Sequence, residues 1–437
     1  MNYQEIIESK YNRESWQQLL TDIFRSKAQF WRAPSPVHVS SKIAKEALLL
    51  GKISLADGES IAVYEVELND NVDIERNKRS IRDMLTKDWR DMGHAGAFIF
   101  AHRHNESALR FSYVSETWGF NKRGEYERVS TDTMRYTYLL GEGRGCRTAI
   151  DQFIKLRDSK QTLQDITEAF SVEALTKKFY NDLFDWFLWA VDSSSGISFP
   201  KSASVEKKAS DDLEEKIIRL ITRIMFVWFI KQKSFIPNQL FDENLKTILK
   251  DFDPNSTTEG NYYNAILQNL FFATLNRAIV DEDGKKRIFA KEDQEDVKTL
   301  YRYAEMFSIS EQDVVNVFSE VPFLNGGLFE CLDKTKVVDG VCITSYNFDG
   351  FSQNTSRLAD GVYKYRAIVP NALFFTPEKG LFSILNRYNF TIEENTPNEQ
   401  QIALDPELLG KVFENLLGAY NPETKETARN MSGSFYT

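Results

Sequence analysis

The chain has 437 residues, with 64 acidic and 54 basic side chains and a formal net charge of −10. A chain of this length exceeds one ordinary hydrophobic core, so the sequence predicts about three structural units. The negative balance excludes a chain that is basic throughout, so any nucleic-acid surface must be local. Three cysteines without a CxxC pair argue against a cysteine zinc site and favour a reducing compartment.

The amino-terminal residues 1–26 are polar and amphipathic, which predicts a helix packed on a sheet rather than a signal peptide. The longest apolar clusters, at 184–191 and 224–230, are far too short to span a bilayer. We therefore expect a cytoplasmic protein that has no membrane partner.

Two carboxylates share one face of the strand predicted at 61–68. Val63, Glu65 and Glu67 alternate with other residues, and side chains two positions apart on a strand point to the same side. Like charges side by side are unfavourable unless a cation lies between them. Because Mg²⁺ prefers oxygen ligands, the carboxylate pair predicts a divalent-metal site.

A third acid, Asp57, lies in the Asp57-Gly58 turn of a predicted hairpin whose first strand covers 51–55. We expect its carboxylate to return to the same edge, so that Asp57, Glu65 and Glu67 converge on one cation. An early acid, then Glu-x-Lys on the next strand and then a helix is the pattern of PD-(D/E)xK nucleases, which this stretch resembles. Here Glu67 stands where that pattern has its lysine.

The predicted helix at 72–89 supplies a lysine for the vacant position. Lys78 falls on the same apolar stripe as Ile74, so its ammonium group is expected to reach toward the sheet. The alternative is that Lys78 extends into solvent and that Glu65 and Glu67 face water on an edge strand. The same helix carries three arginines that we expect to contact DNA phosphates: Arg76, Arg79 and Arg82.

Two further strands are predicted, at 95–101 and 108–115, and with the preceding elements they form a small α/β core. His102 and His104 follow the first of these strands with a spacing that suits a metal ion. We interpret both as exposed loop histidines, with metal binding as the alternative.

A glycine-rich loop at 141–148 opens the next predicted helix, and its Arg144 and Arg147 are candidates for binding a DNA phosphate. A flexible turn is the favoured interpretation of this loop, which lacks the GK[ST] ending of a nucleotide-binding P-loop. From residue 151 onward the periodicity is helical for most of the chain, with a Ser/Lys-rich linker at 192–210.

Several segments together resemble the amino-terminal part of a type IIG restriction-modification enzyme. They are LADGESIAVYEVELNDNVDIERNK, RYTYLLGEGRGCRTA, AFSVEALTKKFYNDLF, RIMFVWFIKQKSFIPNQLF, VPFLNGGLFE and LDPELLGKVFENLLGAYNPETKETARNMSGSFYT. The last segment is similar to the entry to an N6-adenine methyltransferase domain. The resemblance implies that Asp57 and Glu65 bind Mg²⁺ for a nuclease. It also implies that a terminal segment borders an S-adenosylmethionine pocket: Phe435, Tyr436 and Thr437.

The resemblance further implies three parts and a fragment of a longer protein. A PD-(D/E)xK-like nuclease domain with an α/β fold is expected at 1–156, followed by a mainly α-helical connector domain at 157–400. The start of a truncated methyltransferase domain is expected at 401–437. No NPPY-like tetrapeptide and no Phe-x-Gly-x-Gly loop occurs in the sequence, so we expect the methyl-transfer parts beyond Thr437.

The function implied is Mg²⁺-dependent endonuclease cleavage of double-stranded DNA, with Asp57, Glu65, Glu67 and Lys78 as catalytic residues. In such a reaction the metal lowers the pKa of a bound water, and the lysine orients that water and offsets the phosphate charge. S-adenosylmethionine is expected to serve only the full-length parent protein. The alternative is a catalytically degenerate scaffold that couples DNA binding to an adenine-specific methyltransferase.

We expect this chain alone neither to methylate DNA nor to bind S-adenosylmethionine tightly. Aromatic contacts from Phe435 and Tyr436 do not offset the ordering cost of binding when no glycine-rich loop or acidic ribose ligand accompanies them. Titration calorimetry with the cofactor checks this prediction, and micromolar affinity would contradict it.

Overall fold

The structure, a computed structural model, describes residues 2–74, 85, 88–104, 106–120, 126–142, 146–170, 172–200, 213–232, 234–291, 294, 296–324, 326–338, 341–388 and 399–401. These residues form two compact units. The first lies within Met1–Tyr180 and Asn386–Gly410, and the second lies within Asn181–Leu385. The division into nuclease, connector and methyltransferase parts at 156 and 400 stays a prediction.

The first unit contains a mixed sheet with flanking helices, which makes it an α/β domain. Its elements in chain order are α1 (Tyr3–Ile7), α2 (Arg13–Phe24), a 3-10 turn (Arg25–Lys27), β1 (Ala28–Pro36), β2 (Ala44–Ser54), β3 (Ser60–Leu68), β4 (Gly96–His102), β5 (Leu109–Phe120), β6 (Tyr126–Leu140), α3 (Arg147–Arg157), α4 (Leu163–Ala169) and α5 (Val172–Val191). The residues of α5 are divided between the two units.

The spatial order of the strands follows the chain from β1 to β6. The first three strands are antiparallel neighbours, and β4 then returns parallel to β3. Between those two strands the chain crosses over, and Leu85 and residues 88–91 of the crossover are helical. β5 and β6 continue antiparallel, and the short strand Glu399–Gln401 pairs in parallel with β6 at the far edge. The unit therefore contains two antiparallel meanders, β1 to β3 and β4 to β6. The parallel pair of β3 and β4 joins them.

Strand β4 is buried along its whole length because both faces of the sheet are covered. On one face Ile99 packs in a core with Tyr64 and Val66 of β3 and with Trp89 of the crossover. On the other face Phe98 and its neighbours contact the aromatic cluster under α2 and α3. Alternation along β3 and β4 thus supplies two separate apolar cores.

The second of these cores is aromatic and centres on Phe111 of β5. Its ring lies 5.1 Å from the ring of Phe100, 5.4 Å from that of Phe153 and 5.5 Å from that of Phe170. Trp16 of α2 stacks on Phe111 at 6.1 Å, with 7° between the ring planes. Tilted and edge-on pairs of this kind add to the apolar burial that holds the helices on the sheet.

The strands predicted at 61–68, 95–101 and 108–115 lie within or largely overlap observed strands, and the hairpin after residue 51 is present. The continuous amino-terminal helix predicted over 1–26 is wrong. Two helices replace it because the Asn12 side chain accepts the backbone N–H of Ser15 at 2.9 Å and starts a new helix.

The second unit combines helices with long irregular segments and one hairpin, so a mainly helical connector stays a prediction. Its elements are a 3-10 turn (Ser193–Ser195), α6 (Leu213–Gln232), a 3-10 turn (Asn238–Leu240), α7 (Leu245–Ile248), a π-helix (Tyr262–Leu275), a 3-10 turn (Ala304–Met306), α8 (Glu311–Val317), a 3-10 turn (Gly327–Phe329), β7 (Lys334–Val338), β8 (Val341–Tyr346), α9 (Ala372–Phe375) and α10 (Leu381–Asn386). Among the helices that the structure describes, none is both long and apolar enough to cross a bilayer.

Two buried carboxylates of the second unit, Asp333 and Asp349, bind groups of the protein itself. Arg223 of α6 forms an ion pair with Asp349, with 2.6 Å between Nη1 and Oδ1, and both side chains are almost fully buried. Asp333 accepts the backbone N–H groups of the four residues from Phe348 to Phe351. These carboxylates hold the irregular chain in place, because unsatisfied buried groups are costly.

Truncation of the central aromatic residue tests this packing. We expect Phe111→Ala to lower the free energy of unfolding of the first unit by about 3–5 kcal/mol, because it leaves a cavity among the rings. Urea unfolding followed by tryptophan fluorescence measures the change. Ile154→Ala on α3 is the control, since Ile154 is 37% exposed and should cost much less. Equal losses for both variants would contradict the assigned core.

Candidate active site at the acidic sheet edge

The carboxyl ends of β3 and β4 lie at the same edge of the sheet because the two strands are parallel. Open α/β sheets bind ligands outside such strand ends. At this edge Glu67 is opposite His102 of β4 and opposite Glu46 of β2. Glu65 lies two residues earlier in β3 and therefore on the same face. We name these four residues, Glu46, Glu65, Glu67 and His102, the acidic edge.

Glu65 is 9% exposed and has three side-chain partners. Its Oε2 forms an ion pair with Nε of Arg13 and accepts a hydrogen bond from Oη of Tyr11 at 3.2 Å. Its Oε1 lies 3.3 Å from Nε2 of His102, which donates to the carboxylate. The Tyr11 ring stacks on the His102 ring with 4.4 Å between centroids. The segment that joins α1 and α2 therefore covers Glu65.

These partners determine the charge state of Glu65. Burial alone would raise the pKa of its carboxyl, but the hydrogen bonds from His102 and Arg13 and the positive charge of Arg13 outweigh burial. The pKa of Glu65 therefore lies below its ordinary value of 4.5. Glu65 is a carboxylate at neutral pH, and burial raises the pKa of its neighbour Tyr11, which stays a neutral donor.

The other two acids of the edge also lie beside cations. Nζ of Lys45 is 3.7 Å from Oε1 of Glu67 and 2.9 Å from Oδ1 of Asp70. The Glu65 hydrogen bond and the charges of Glu65 and Glu46 raise the pKa of Arg13. Two cations thus offset the like charges that the register of β2 and β3 places opposite each other.

Asp57 occupies the predicted hairpin turn, but the structure does not bring it to the acidic edge. Its turn lies at the amino end of β3, and Glu65 is five residues beyond Ser60, which is about 16 Å along the strand. Oδ2 of Asp57 instead accepts the backbone N–H of Leu163 at 2.8 Å. The predicted convergence of Asp57 with Glu65 and Glu67 is therefore wrong, because the hairpin carries its turn away from the carboxyl end of β3.

Two further interpretations of single residues need correction. β3 lies between β2 and β4 inside the sheet, so Glu65 and Glu67 are not on an edge strand. His102 ends β4 and is buried, whereas an exposed loop histidine was expected. The sequence pattern did not show that α2 would approach this end of the sheet.

Several predicted site residues lie outside the described residues: Lys78, Arg76, Arg79, Arg82, Arg144, Phe435, Tyr436 and Thr437. Arg147 is the first residue of α3, but its side chain is also outside the described part of the chain. The roles expected of these residues stay predictions.

Four residues of the site were missed in the sequence: Tyr11, Arg13, Lys45 and Glu46. Glu46 was not predictable by counting back from the hairpin turn, because a register shift between Leu49 and Gly51 is what places it opposite Glu67. Arg13 had no usable signal, since the start of α2 is far from β3 in the sequence. Its approach depends on tertiary packing of Trp16 against the sheet.

The acidic edge has the chemistry of a cation site, since its donors are carboxylate oxygens. Where the structure describes side chains, no three His, Cys, Asp or Glu residues are gathered closely enough to hold a metal ion. The guanidinium of Arg13 is, however, a cation already held by Glu65 and influenced by Glu46. In the described structure, the cation beside Glu65 is therefore the guanidinium of Arg13.

No protein-family model matches the chain, and no curated protein matches it significantly.

Removal of the Glu65 charge tests the electrostatics of the edge. We expect Glu65→Gln to destabilise the first unit by about 1–2 kcal/mol at pH 7, because charge-assisted bonds with Arg13 and His102 are lost. The lowered pKa of Glu65 stabilises the fold fully above pH 4.5, and this contribution disappears as pH falls through the lowered value. The difference between wild type and variant should therefore shrink in acid.

Urea unfolding at several pH values measures this difference. Glu14→Gln provides the control, since Glu14 is an exposed carboxyl on α2. A difference for Glu65→Gln that stays constant from pH 7 down into the acid range would contradict the assignment.

Proposed function

We propose that the first unit is a Mg²⁺-dependent DNA endonuclease domain from the amino-terminal part of a restriction-modification protein. The observation that supports this most is the strand register, which places Glu65 and Glu67 on one face near the carboxyl ends of a parallel strand pair and Glu46 of β2 opposite Glu67. The order of elements adds support: a helix, three antiparallel strands, a crossover and a strand parallel to the third. Acids at this position in this order resemble the PD-(D/E)xK pattern.

Glu65 is the central metal ligand in this proposal, with Glu46 and Glu67 replacing Asp57 as its companions. Bound Mg²⁺ would supply a water of lowered pKa and would offset phosphate charge. Arg13 would then be available to a phosphate oxygen, for which its planar donor pair is suited. Lys45 lies beside Glu67. In this proposal it takes the role expected of Lys78, which is to orient the water and offset the phosphate charge.

His102 has a positioning role in this arrangement. Its bond to Oε1 of Glu65 and its stacking with Tyr11 keep the carboxylate aligned with the end of β3. Loss of an outer partner that orients a metal ligand typically costs about 10- to 100-fold in activity. The proposal extends to double-stranded DNA as substrate, with a connector and a methyltransferase that uses S-adenosylmethionine in the full-length protein.

A second candidate is a catalytically degenerate DNA-binding scaffold, and one specific observation favours it. Arg13 already neutralises Glu65, and Asp57 is tied to the backbone of Leu163. If the ion pair persists in the presence of Mg²⁺, the edge is a structural remnant of a nuclease fold. Binding of duplex DNA without strand cleavage is the behaviour expected of this second function.

Nicking of supercoiled plasmid distinguishes the two functions. We expect the wild-type chain to nick plasmid with Mg²⁺ or Mn²⁺ and not with EDTA, and Glu65→Gln to lose about 100-fold or more of that activity. Glu46→Gln and Glu67→Gln should also lose activity.

The exposed Glu14→Gln variant is the matched control for loss of a carboxylate, and it should cleave like the wild type. Duplex binding with no metal-dependent nicking by the wild type would favour the scaffold. Equal nicking by wild type and Glu65→Gln would place catalysis elsewhere in the chain.

A further inference from the structure

A second site candidate lies at the opposite end of β3 from the acidic edge. A cavity of about 570 Å³ opens beside β1 and β2, and four of the seven residues that line it are Trp31, Lys52, Met92 and His94. We name it the Trp31 groove. His94 hydrogen-bonds Oγ of Ser60, the first residue of β3, through Nδ1 at 2.8 Å. The groove is therefore distinct from Glu65 and its neighbours.

The backbone presents Trp31 to this groove through an irregularity in an edge strand. Phe30 pairs with Gly51 and Ser35 pairs with Leu49, so the four residues 31–34 of β1 lie opposite a single residue of β2. Such bulges at sheet edges redirect side chains and often accompany functional sites. Trp31 is 42% exposed although it is the largest apolar side-chain type. An exposed indole at a cavity is a surface on which a flat ring can stack.

The polar side chains of the groove favour an anion beside that ring. Lys52 contributes a positive charge, and no acidic side chain lines the cavity among the residues that the structure describes. Burial and the charge of Lys52 lower the pKa of His94 and outweigh the opposing charge of Asp88, so its imidazole is neutral at pH 7. With Nδ1 held by Ser60, the ring offers Nε2 as a hydrogen-bonding atom for a ligand.

Met92 completes the groove with an adaptable apolar contact. It is 50% exposed, and its flexible thioether can cover the second face or the edge of a flat ring. The groove thus offers two apolar side chains for a flat ring, one hydrogen-bonding atom and one cation. These features suit a nucleobase with its phosphate. A base paired within a duplex does not expose its ring face, so the ligand must be unpaired.

We propose that the Trp31 groove binds an unpaired nucleobase of single-stranded nucleic acid, with Trp31 stacked on the base and Lys52 at the adjoining phosphate. The inference rests on the proposed function only in taking nucleic acid as the ligand. It adds a site for unpaired bases, which the acidic edge does not explain.

Fluorescence anisotropy with short labelled oligothymidylate, oligouridylate and a duplex tests the inference on the full chain in EDTA. We expect both single strands to bind through a contact with Trp31 that a duplex does not make. Trp31→Ala should weaken single-strand binding roughly fivefold to 100-fold, and Trp31→Phe should retain much of the affinity because a ring remains. Lys52→Met should weaken binding and flatten its dependence on salt.

Two exposed residues of α3 outside the groove supply matched controls. Ile154→Ala removes an exposed apolar side chain, and Lys155→Met removes an exposed cation. Neither change should alter binding. Tighter binding of one single strand than of the other decides between DNA and RNA as the source of the base.

Single-strand binding that Trp31→Ala and Lys52→Met leave unchanged would overturn the inference, and so would the absence of single-strand binding. Circular dichroism of each variant confirms that it is folded, and Trp31→Phe distinguishes loss of stacking from loss of structure. Because the assay contains no metal, a chain without nuclease activity can still satisfy this inference. A chain that cleaves plasmid can likewise fail it.

Discussion

A carboxylate that is removed from water must have a cation or donors beside it, and Glu65 imposes this requirement on the first unit. The requirement is met from a distant part of the sequence by Arg13 and Tyr11, together with His102 at the end of β4. The approach of α2 to the sheet thus combines an apolar interaction, through Trp16, with an electrostatic one. Loss of Arg13 would leave the buried Glu65 carboxylate without its cation, at a cost in stability.

The parallel pair of β3 and β4 gives this interaction its place in the fold. A crossover returns the chain so that both strands end at one edge, and the antiparallel β2 begins there. The register then places Glu46 opposite Glu67 and leaves Glu65 on the same face. The same geometry separates the two ends of β3, with carboxylates at one end and the Trp31 groove at the other. One strand can therefore position two chemically different surfaces.

Local patterns in the sequence were sufficient for the elements that alternate clearly. β3, β4 and β5 were predictable from alternating or continuous apolar residues. The turn was predictable from the Asp57-Gly58 dipeptide, because glycine readily adopts a positive φ, which is +86° at Gly58. The convergence of Asp57 with Glu65 was not, because it depended on which end of the strand the turn occupies. The role of Arg13 was beyond local reasoning, since 52 residues separate it from Glu65. Strand register and tertiary packing determine such contacts, and neither follows from spacing alone.

We propose that the acidic edge holds a divalent cation in exchange for Arg13. A crystal structure of the chain grown with Mn²⁺, with its anomalous difference map, is the decisive test. We expect an anomalous peak within coordination distance of Glu65 and at least one of Glu46 and Glu67, with the Arg13 guanidinium displaced. An intact pair between Arg13 and Glu65 with no manganese peak at this edge would contradict it.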